Sequence, residues 1–383
     1  MRKYYSLVTF LALGLFSILT TFYYPYLKNS IGLSLSEVGT IVSVGSIFTL
    51  IGQPILSDRF SKSNNKKRFI VIYMLTVIIA VIGLMNINKS FAIFYAPLYG
   101  FILGSVAGIF DIYIEELSLI DKYEFSSIRK WGSIGFAFIV FISGFIINIL
   151  GYRALHITAL LISIIIFMLI FLKFKDINIH KEIKNDIKII NLLKNKKVIL
   201  MILMTFLGLG SYMGLEFAFS TYLEDLINDP NLANKIYSTS NSFRVIVEFF
   251  SFILVSKYLK DANSKKCLTI ALCFAAFRVL LFSTGNIYII VLADQMHGIM
   301  YALYLTFLFK YLREILNGKL VATTFAILSV LGSNGSNFIY APVYSFIQRN
   351  FGYFPMYITG GILIILSITV LNLFLPKVNN IKA

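Results

Sequence analysis

The chain is poor in most of the side chains from which soluble enzymes are built. Only 14% of its 383 residues are charged, and it holds 18 acidic side chains, two cysteines, three histidines, one tryptophan and seven prolines. Cys267 and Cys273 lie in or beside one apolar run, which speaks against a disulfide or a thiolate metal site. With so few histidines, and with no His-Glu-x-x-His, Gly-x-Ser-x-Gly or nucleotide-binding glycine pattern, neither a metal or organic cofactor nor an intramembrane enzyme is expected.

What the chain does have is apolar surface: 58% of it is hydrophobic and its mean hydropathy is +0.82, far from the composition of soluble domains. Apolar stretches long enough to cross a bilayer fall near 5–27, 36–56, 69–88, 91–117, 130–150, 153–174, 198–223, 236–256, 267–284, 287–312, 320–346 and 353–375. The expected fold is therefore an all-α membrane protein with twelve transmembrane helices. The first stretch is too long for a cleaved signal and is followed by others. A net charge of +16 could suggest nucleic acid, but the basic residues gather in every second connection. The opposite side carries only Lys28, Lys89, Arg153, Lys235 and Arg349. By the positive-inside rule both termini are expected in the cytoplasm, with the chain in the cytoplasmic membrane.

The basic connection near 175–197 separates a first bundle, 1–174, from a second, 198–383. Ser57, Asn64, Lys66 and Lys67 recur as Ser256, Asn263, Lys265 and Lys266, in the same connection of each half. Two pseudo-symmetric six-helix bundles of the parallel-repeat kind follow, an architecture in which solute binds at the repeat interface.

Ionisable side chains inside apolar spans are costly and mark function by default. Asp294 and His297 are three apart on one helical face, with Gln295 between them. His297 titrates near neutrality when unperturbed, so a proton-handling site is one reading and a polar pin between helices the other. Glu216 lies among Gly208, Gly210 and Gly214, Arg244 and Glu248 share a face, and Arg278 stands in the next span. These charges nearly neutralise one another. Asn334 and Asn337 belong to a Ser/Asn/Gly-rich span expected to line an aqueous path. In the first half, Asp111 and Arg129 can face each other across a hairpin beside Trp131 and Phe136. A carboxylate, a guanidinium and an aromatic ring suit a polyhydroxyl or heterocyclic solute, although hydropathy alone does not separate this from Arg129 as one more positive-inside residue. The Gly100, Gly104, Gly108 stripe lets a second helix approach closely. Phe22 to Tyr26 reads mainly as interface anchoring, and Asp58 and Arg59 as a clamp on the second span, that is, a gate.

Beyond these residues, the chain resembles the lactose permease and phenylpropionate permease branch of the major facilitator superfamily from Phe22 to about residue 360. The run Asp111–Gly135 is similar to that family's sugar-contacting hairpin, which implies that Asp111 and Arg129 hold substrate. Phe136 stands where the sugar permease has a stacking Trp, and Trp131-Gly132 resembles the phenylpropionate type. Val247-Glu248-Phe249, Phe277-Arg278-Val279 and Gln295-Met296-His297-Gly298 are similar to family signatures whose carboxylate, arginine and histidine belong to the proton-coupling network. The departures are Met300 in place of the main proton-carrying glutamate and Asp294 in place of a lysine that pairs with the acid matched by Glu216.

The resemblance implies a monomeric, proton-coupled symporter importing a small polar solute such as a sugar, nucleoside or aromatic acid. A proton-antiport efflux carrier of the same superfamily is the nearest alternative, separated by the direction of pH change on solute addition. A non-transporting receptor would have no use for so many intramembrane charges.

Overall fold

The computed structural model describes residues 1–122, 125–174, 194–259, 261–316 and 330–377, together with 321, 324, 325, 327 and 328. Among these residues the regular structure is helical, as a bilayer requires of a chain that must satisfy its own backbone polar groups. Eight helical stretches are long and apolar enough to cross a membrane, the longest being Ile128–Lys173. That stretch is two helices, because Gly151 turns the backbone with φ 77° and ψ 177°. Gly352, between Asn337–Phe351 and Tyr353–Thr369, has nearly the same geometry, φ 86° and ψ −177°. Such a conformation is open essentially to glycine alone. The two turns mark a second repeat: Gly151, Tyr152, Ile157 and Thr158 recur as Gly352, Tyr353, Ile358 and Thr359.

The first repeat needs a correction of register. Helix Lys66–Met85 is capped by Asn65, whose side chain accepts from the Arg68 amide, and helix Ser264–Phe282 by Asn263, which accepts from Lys266. The equivalent caps are thus Asn65 and Asn263, one residue away from the Asn64–Asn263 match, because capping geometry rather than letter identity fixes where a helix starts. Cys267 is buried, Cys273 is exposed, and both are free.

The chain packs as two compact units, Met1–Glu182 with Leu223–Ser242, and Ile183–Tyr222 with Phe243–Ala383. Of the connection expected at 175–197, residues 175–193 lie outside those described. In the first unit, α1 (Arg2–Thr21) packs against α2 (Phe125–Lys173) where Gly135 meets the Phe10 backbone. Gly100, Gly104 and Gly108 face Gly45, Thr49 and Gln53 of helix Leu35–Lys62, the close approach expected of that stripe. Thr49 Oγ1 donates to the Gly100 carbonyl at 3.0 Å across the contact. Most of the aromatic run after α1 packs inward. Tyr23 stacks on Tyr99 at 3.7 Å, and Tyr26 sits edge-on to His156 while its hydroxyl donates to the Leu84 carbonyl at 3.0 Å. Within the same unit Lys28 binds Asp225 at 2.7 Å, Tyr152 donates to Asn234 at 3.1 Å, and Ser242 donates to the Ala137 carbonyl at 3.0 Å.

Among the described residues, the ion pair seen at Asp58 and Arg59 is a local one within helix Leu35–Lys62. Both are exposed, and Asp58 pairs with Lys62 one turn along its own helix at 2.8 Å. The turn is tied instead by Lys66, whose buried ammonium donates to the Phe60 carbonyl at 2.6 Å and lies 3.9 Å from Glu116.

Candidate functional site

Five segments of the second unit converge on one cluster of charges. A π-helical turn, Phe206–Gly210, leads into Ser211–Gly214, and regular helix resumes with Glu216 as the first residue of Glu216–Ile227. A carboxylate there faces the positive end of the helix dipole. The next contributions are Arg244 from Pro230–Tyr258 and Arg278 from Ser264–Phe282. Asp294 ends helix Ile287–Asp294, and a break at Gln295 precedes Met296–Ile315, which carries His297. Both carboxylates therefore stand beside interruptions of the helical ladder, and such interruptions gather at functional sites.

Each guanidinium bridges both carboxylates. Arg278 lies 2.8 Å from Glu216 and 2.6 Å from Asp294, while Arg244 lies 2.7 Å from Glu216 and 3.4 Å from Asp294. The set is a two-plus-two lattice without net charge. Asp294 is 0% exposed and Arg278 2%, a depth at which charge is retained only with partners. The planar guanidinium of Arg278 sits between two rings, 4.8 Å from the centre of Tyr212 and 4.4 Å from that of Phe282, a placement an ammonium would not reproduce. Tyr212, one turn before Glu216, shares a hydrogen bond of 2.8 Å with His297 Nδ1. His297 is further stacked against Tyr301 at 5.5 Å.

The expected Asp294–His297 pair is thus divided in its hydrogen bonds, Asp294 bonding to the arginines and His297 to Tyr212. The break at Gln295 lies between them. The lost lysine partner of the family pattern is replaced from another helix, since Arg244 supplies the cation that Glu216 needs. Gly298 makes this possible. A Cβ at that position would meet the backbone of Glu248 and come within 2.8 Å of the Arg244 carbonyl, so only glycine lets the helix bearing Arg244 come so close. Glu248 is half-buried, one turn beyond Arg244. Gln295 is also half-buried and donates to the Val291 carbonyl of its own turn at 3.1 Å. Asn337 is buried and its Oδ1 has no hydrogen-bond partner among the described residues, whereas the Asn334 side chain lies outside those described.

The first unit holds a separate pair. Asp111, on helix Val106–Ile120, accepts from Arg129 Nε of α2 at 2.7 Å. Their side chains are 35% and 32% exposed, so the pair remains open on one side, and charge is not kept against lipid tails. Seven residues on, Phe136 returns to the Arg129 face of the helix and is half-buried. Trp131, two residues from Arg129, points to roughly the opposite face and is 42% exposed. The structure does not bring it to the pair, because a 3.6-residue period separates neighbours that look adjacent in sequence.

Sequence reasoning noted Arg244 without giving it a role and passed over Tyr212. The signals were present: Arg244 shares a face with Glu248, and Tyr212 precedes Glu216 by four residues.

The chain is 25% identical over 347 residues to a sucrose permease of Escherichia coli, covering 85% of this chain and 81% of that protein. It is 21% identical over 376 residues to a lactose permease of Klebsiella oxytoca, covering 90% and 87%. Among solved structures it superimposes on the nucleoside transporter NupG with a TM-score of 0.85 at 15% identity, covering 98% and 99%. It also matches a D-xylose-proton symporter with a TM-score of 0.73 at 14% identity, covering 97% of each chain. The profile described as the MFS_1 like family matches residues 3–358, and the chain is a multi-pass membrane protein belonging to that family.

Proposed function

We propose that the protein imports a small, neutral, hydroxyl-rich solute such as a sugar or nucleoside together with a proton, and that it is no enzyme. The observation that carries this reading is the half-open Asp111–Arg129 pair. A carboxylate and a guanidinium already bonded to each other have no net charge to offer an ion, yet both retain hydrogen-bonding capacity toward hydroxyl groups. Phe136, on the same face, adds an apolar surface on which the CH face of a ring can lie. An aromatic acid would have to separate the pair, which disfavours it. Relatives named for sucrose, lactose and raffinose support the solute class, and a neighbour named as a proton symporter supports the coupling.

The proton is carried by a carboxylate of the second-unit network, which Arg278 returns to its charged form once the solute has left. The chain forms twelve spans in two six-helix bundles, 1–174 and 198–383, joined by the 175–197 connection, with both termini cytoplasmic and the monomer as the working unit. The test is a thermal-shift panel of sucrose, lactose, raffinose, D-xylose and uridine on purified protein. At least one solute should raise the melting temperature, and Arg129→Ala should lose the shift. Addition of that solute to energised cells should make the medium alkaline, whereas acidification would indicate efflux by exchange.

A further inference from the structure

We propose that Gln53 is a third hydrogen-bonding group of the first-unit solute site, and that together with the Asp111–Arg129 pair it selects solutes carrying two hydroxyl groups on one ring. This rests on the reading of that pair given above and names a group that sets its specificity. Gln53 stands in helix Leu35–Lys62, next to Pro54, inside a stretch long and apolar enough to cross a membrane. Its stripe, Gly45, Thr49 and Gln53, meets Gly100, Gly104 and Gly108. Thr49 is used by that contact, donating to the Gly100 carbonyl at 3.0 Å. Gln53, one turn further on, is half-buried, and its amide has no hydrogen-bond partner among the described residues.

An amide carries two donors and an acceptor, and lipid tails can satisfy none of them. The place of the Gln53 amide supplies the alternative. Its nitrogen lies against Gly108, so closely that a Cβ there would collide with it. Gly108 and Asp111 are three residues apart on helix Val106–Ile120 and share a face, with about 5–6 Å between their Cβ positions, so the amide stands within about 8 Å of the Asp111 Cβ. Helical side chains lean toward the N-terminus, which directs Asp111 back over the turn that holds Gly108. The pair that Asp111 makes with Arg129 is open on one side, its side chains 35% and 32% exposed, and offers a hydroxyl both an acceptor and a donor. The amide offers both again one helical turn away. A ring bearing two hydroxyl groups can meet both points at once, whereas a solute with one hydroxyl meets only one of them.

The experiment measures equilibrium binding to purified full-length protein for whichever of sucrose, lactose, raffinose, D-xylose and uridine gives the largest thermal shift, together with its monodeoxy analogues. Wild type should bind at least one analogue about tenfold more weakly than the parent solute, the effect of leaving one polar group unpaired. Gln53→Ala and Gln53→Met, two variants of different volume, should bind the parent about tenfold more weakly and should no longer distinguish it from that analogue. Gly108→Ala, which pushes the amide aside, should weaken binding of the parent when Gln53 is present and add nothing in the Gln53→Ala background.

Gln53 variants that bind the parent within about twofold of wild type and still reject the same analogue would overturn the assignment, as would a wild type that tolerates every deoxygenation. So would a Gly108→Ala effect of equal size with and without Gln53, since the glycine would then serve helix packing alone. In each of these cases, loss of binding in Arg129→Ala leaves the pair, and the function read from it, standing. Wild-type protein that binds none of the five solutes would instead defeat that reading, and the assignment with it.

Discussion

Replacing Arg278 with glutamine removes one corner of the lattice and leaves its shape nearly unchanged. The loss can be sized from the contacts. Arg278 makes two short charge-assisted bonds, 2.6 Å to Asp294 and 2.8 Å to Glu216, at 2% exposure of its side chain. Asp294, itself 0% exposed, would lose its shortest ion pair and keep the longer 3.4 Å contact to Arg244. Truncating one partner of a buried pair in this way costs about 3–5 kcal/mol, most of it the penalty of stranding the other charge.

If stranding is the dominant part, neutralising Asp294 as well should recover much of the loss, because Arg244 and Glu216 would then form a balanced pair at 2.7 Å. The assay is a denaturant titration of purified protein in detergent micelles for wild type, Arg278→Gln, Asp294→Asn and the double variant, read as a double-mutant cycle. Residues sharing one network couple by about 0.5–3 kcal/mol, and the upper half of that range is expected here. An Arg278→Gln variant within about 1 kcal/mol of wild type, with a coupling energy under about 0.5 kcal/mol, would refute the lattice as an energetic unit.

Gly298→Val should destabilise by about 1–3 kcal/mol through overpacking against the Arg244–Glu248 backbone, and should abolish uptake as well; the same titration and a transport assay read both. Gly151→Ala and Gly352→Ala should each cost about 1–3 kcal/mol, similar to one another because the two turns share one geometry, and unequal effects would argue against structural equivalence of the repeats. Lys66→Met should cost about 1.5–3 kcal/mol by removing the charge-assisted bond to the Phe60 carbonyl, which would still accept from the Ser63 amide at 3.1 Å. Asp58→Asn, by contrast, should stay within about 0.5 kcal/mol, as expected for an exposed pair one turn apart. A larger effect of Asp58→Asn on stability would support the clamp expected from the sequence.

The positions of the intramembrane charges were legible in the sequence, and their partnerships were not. Hydropathy exposes an acid or arginine in an apolar run because each is costly there. It carries no information on which helix faces which, so Glu216 could be named while its second cation, Arg244, was left without a role. The resemblance pointed to a partner on the helix of Asp294, and the substitution at that position removed it; only packing at Gly298 shows where the cation came from. The helix breaks at Leu215 and Gln295 were equally hidden. No proline marks them, and Gly208, Gly210 and Gly214 read as readily as packing glycines.

Trp131 was misleading for the opposite reason. Adjacency in sequence to Arg129 suggested adjacency in space, whereas helical geometry turns the two side chains apart. The Gly151-Tyr152 and Gly352-Tyr353 repeat was present in the letters and escaped notice because apolar spans with few distinctive residues align poorly by eye. The offset between Asn64 and Asn65 shows the same weakness in a polar turn, where two adjacent asparagines make the register ambiguous until the cap is seen.

The central claim is that these intramembrane charges serve a carrier, and solute counterflow tests it most directly. Liposomes containing the protein, loaded with one unlabelled solute of the panel and diluted into a trace of the same solute carrying label, should take up label transiently above equilibrium, and Arg129→Ala should abolish that overshoot. The absence of any overshoot for sucrose, lactose, raffinose, D-xylose and uridine alike, with Arg129→Ala indistinguishable from wild type, would contradict the account.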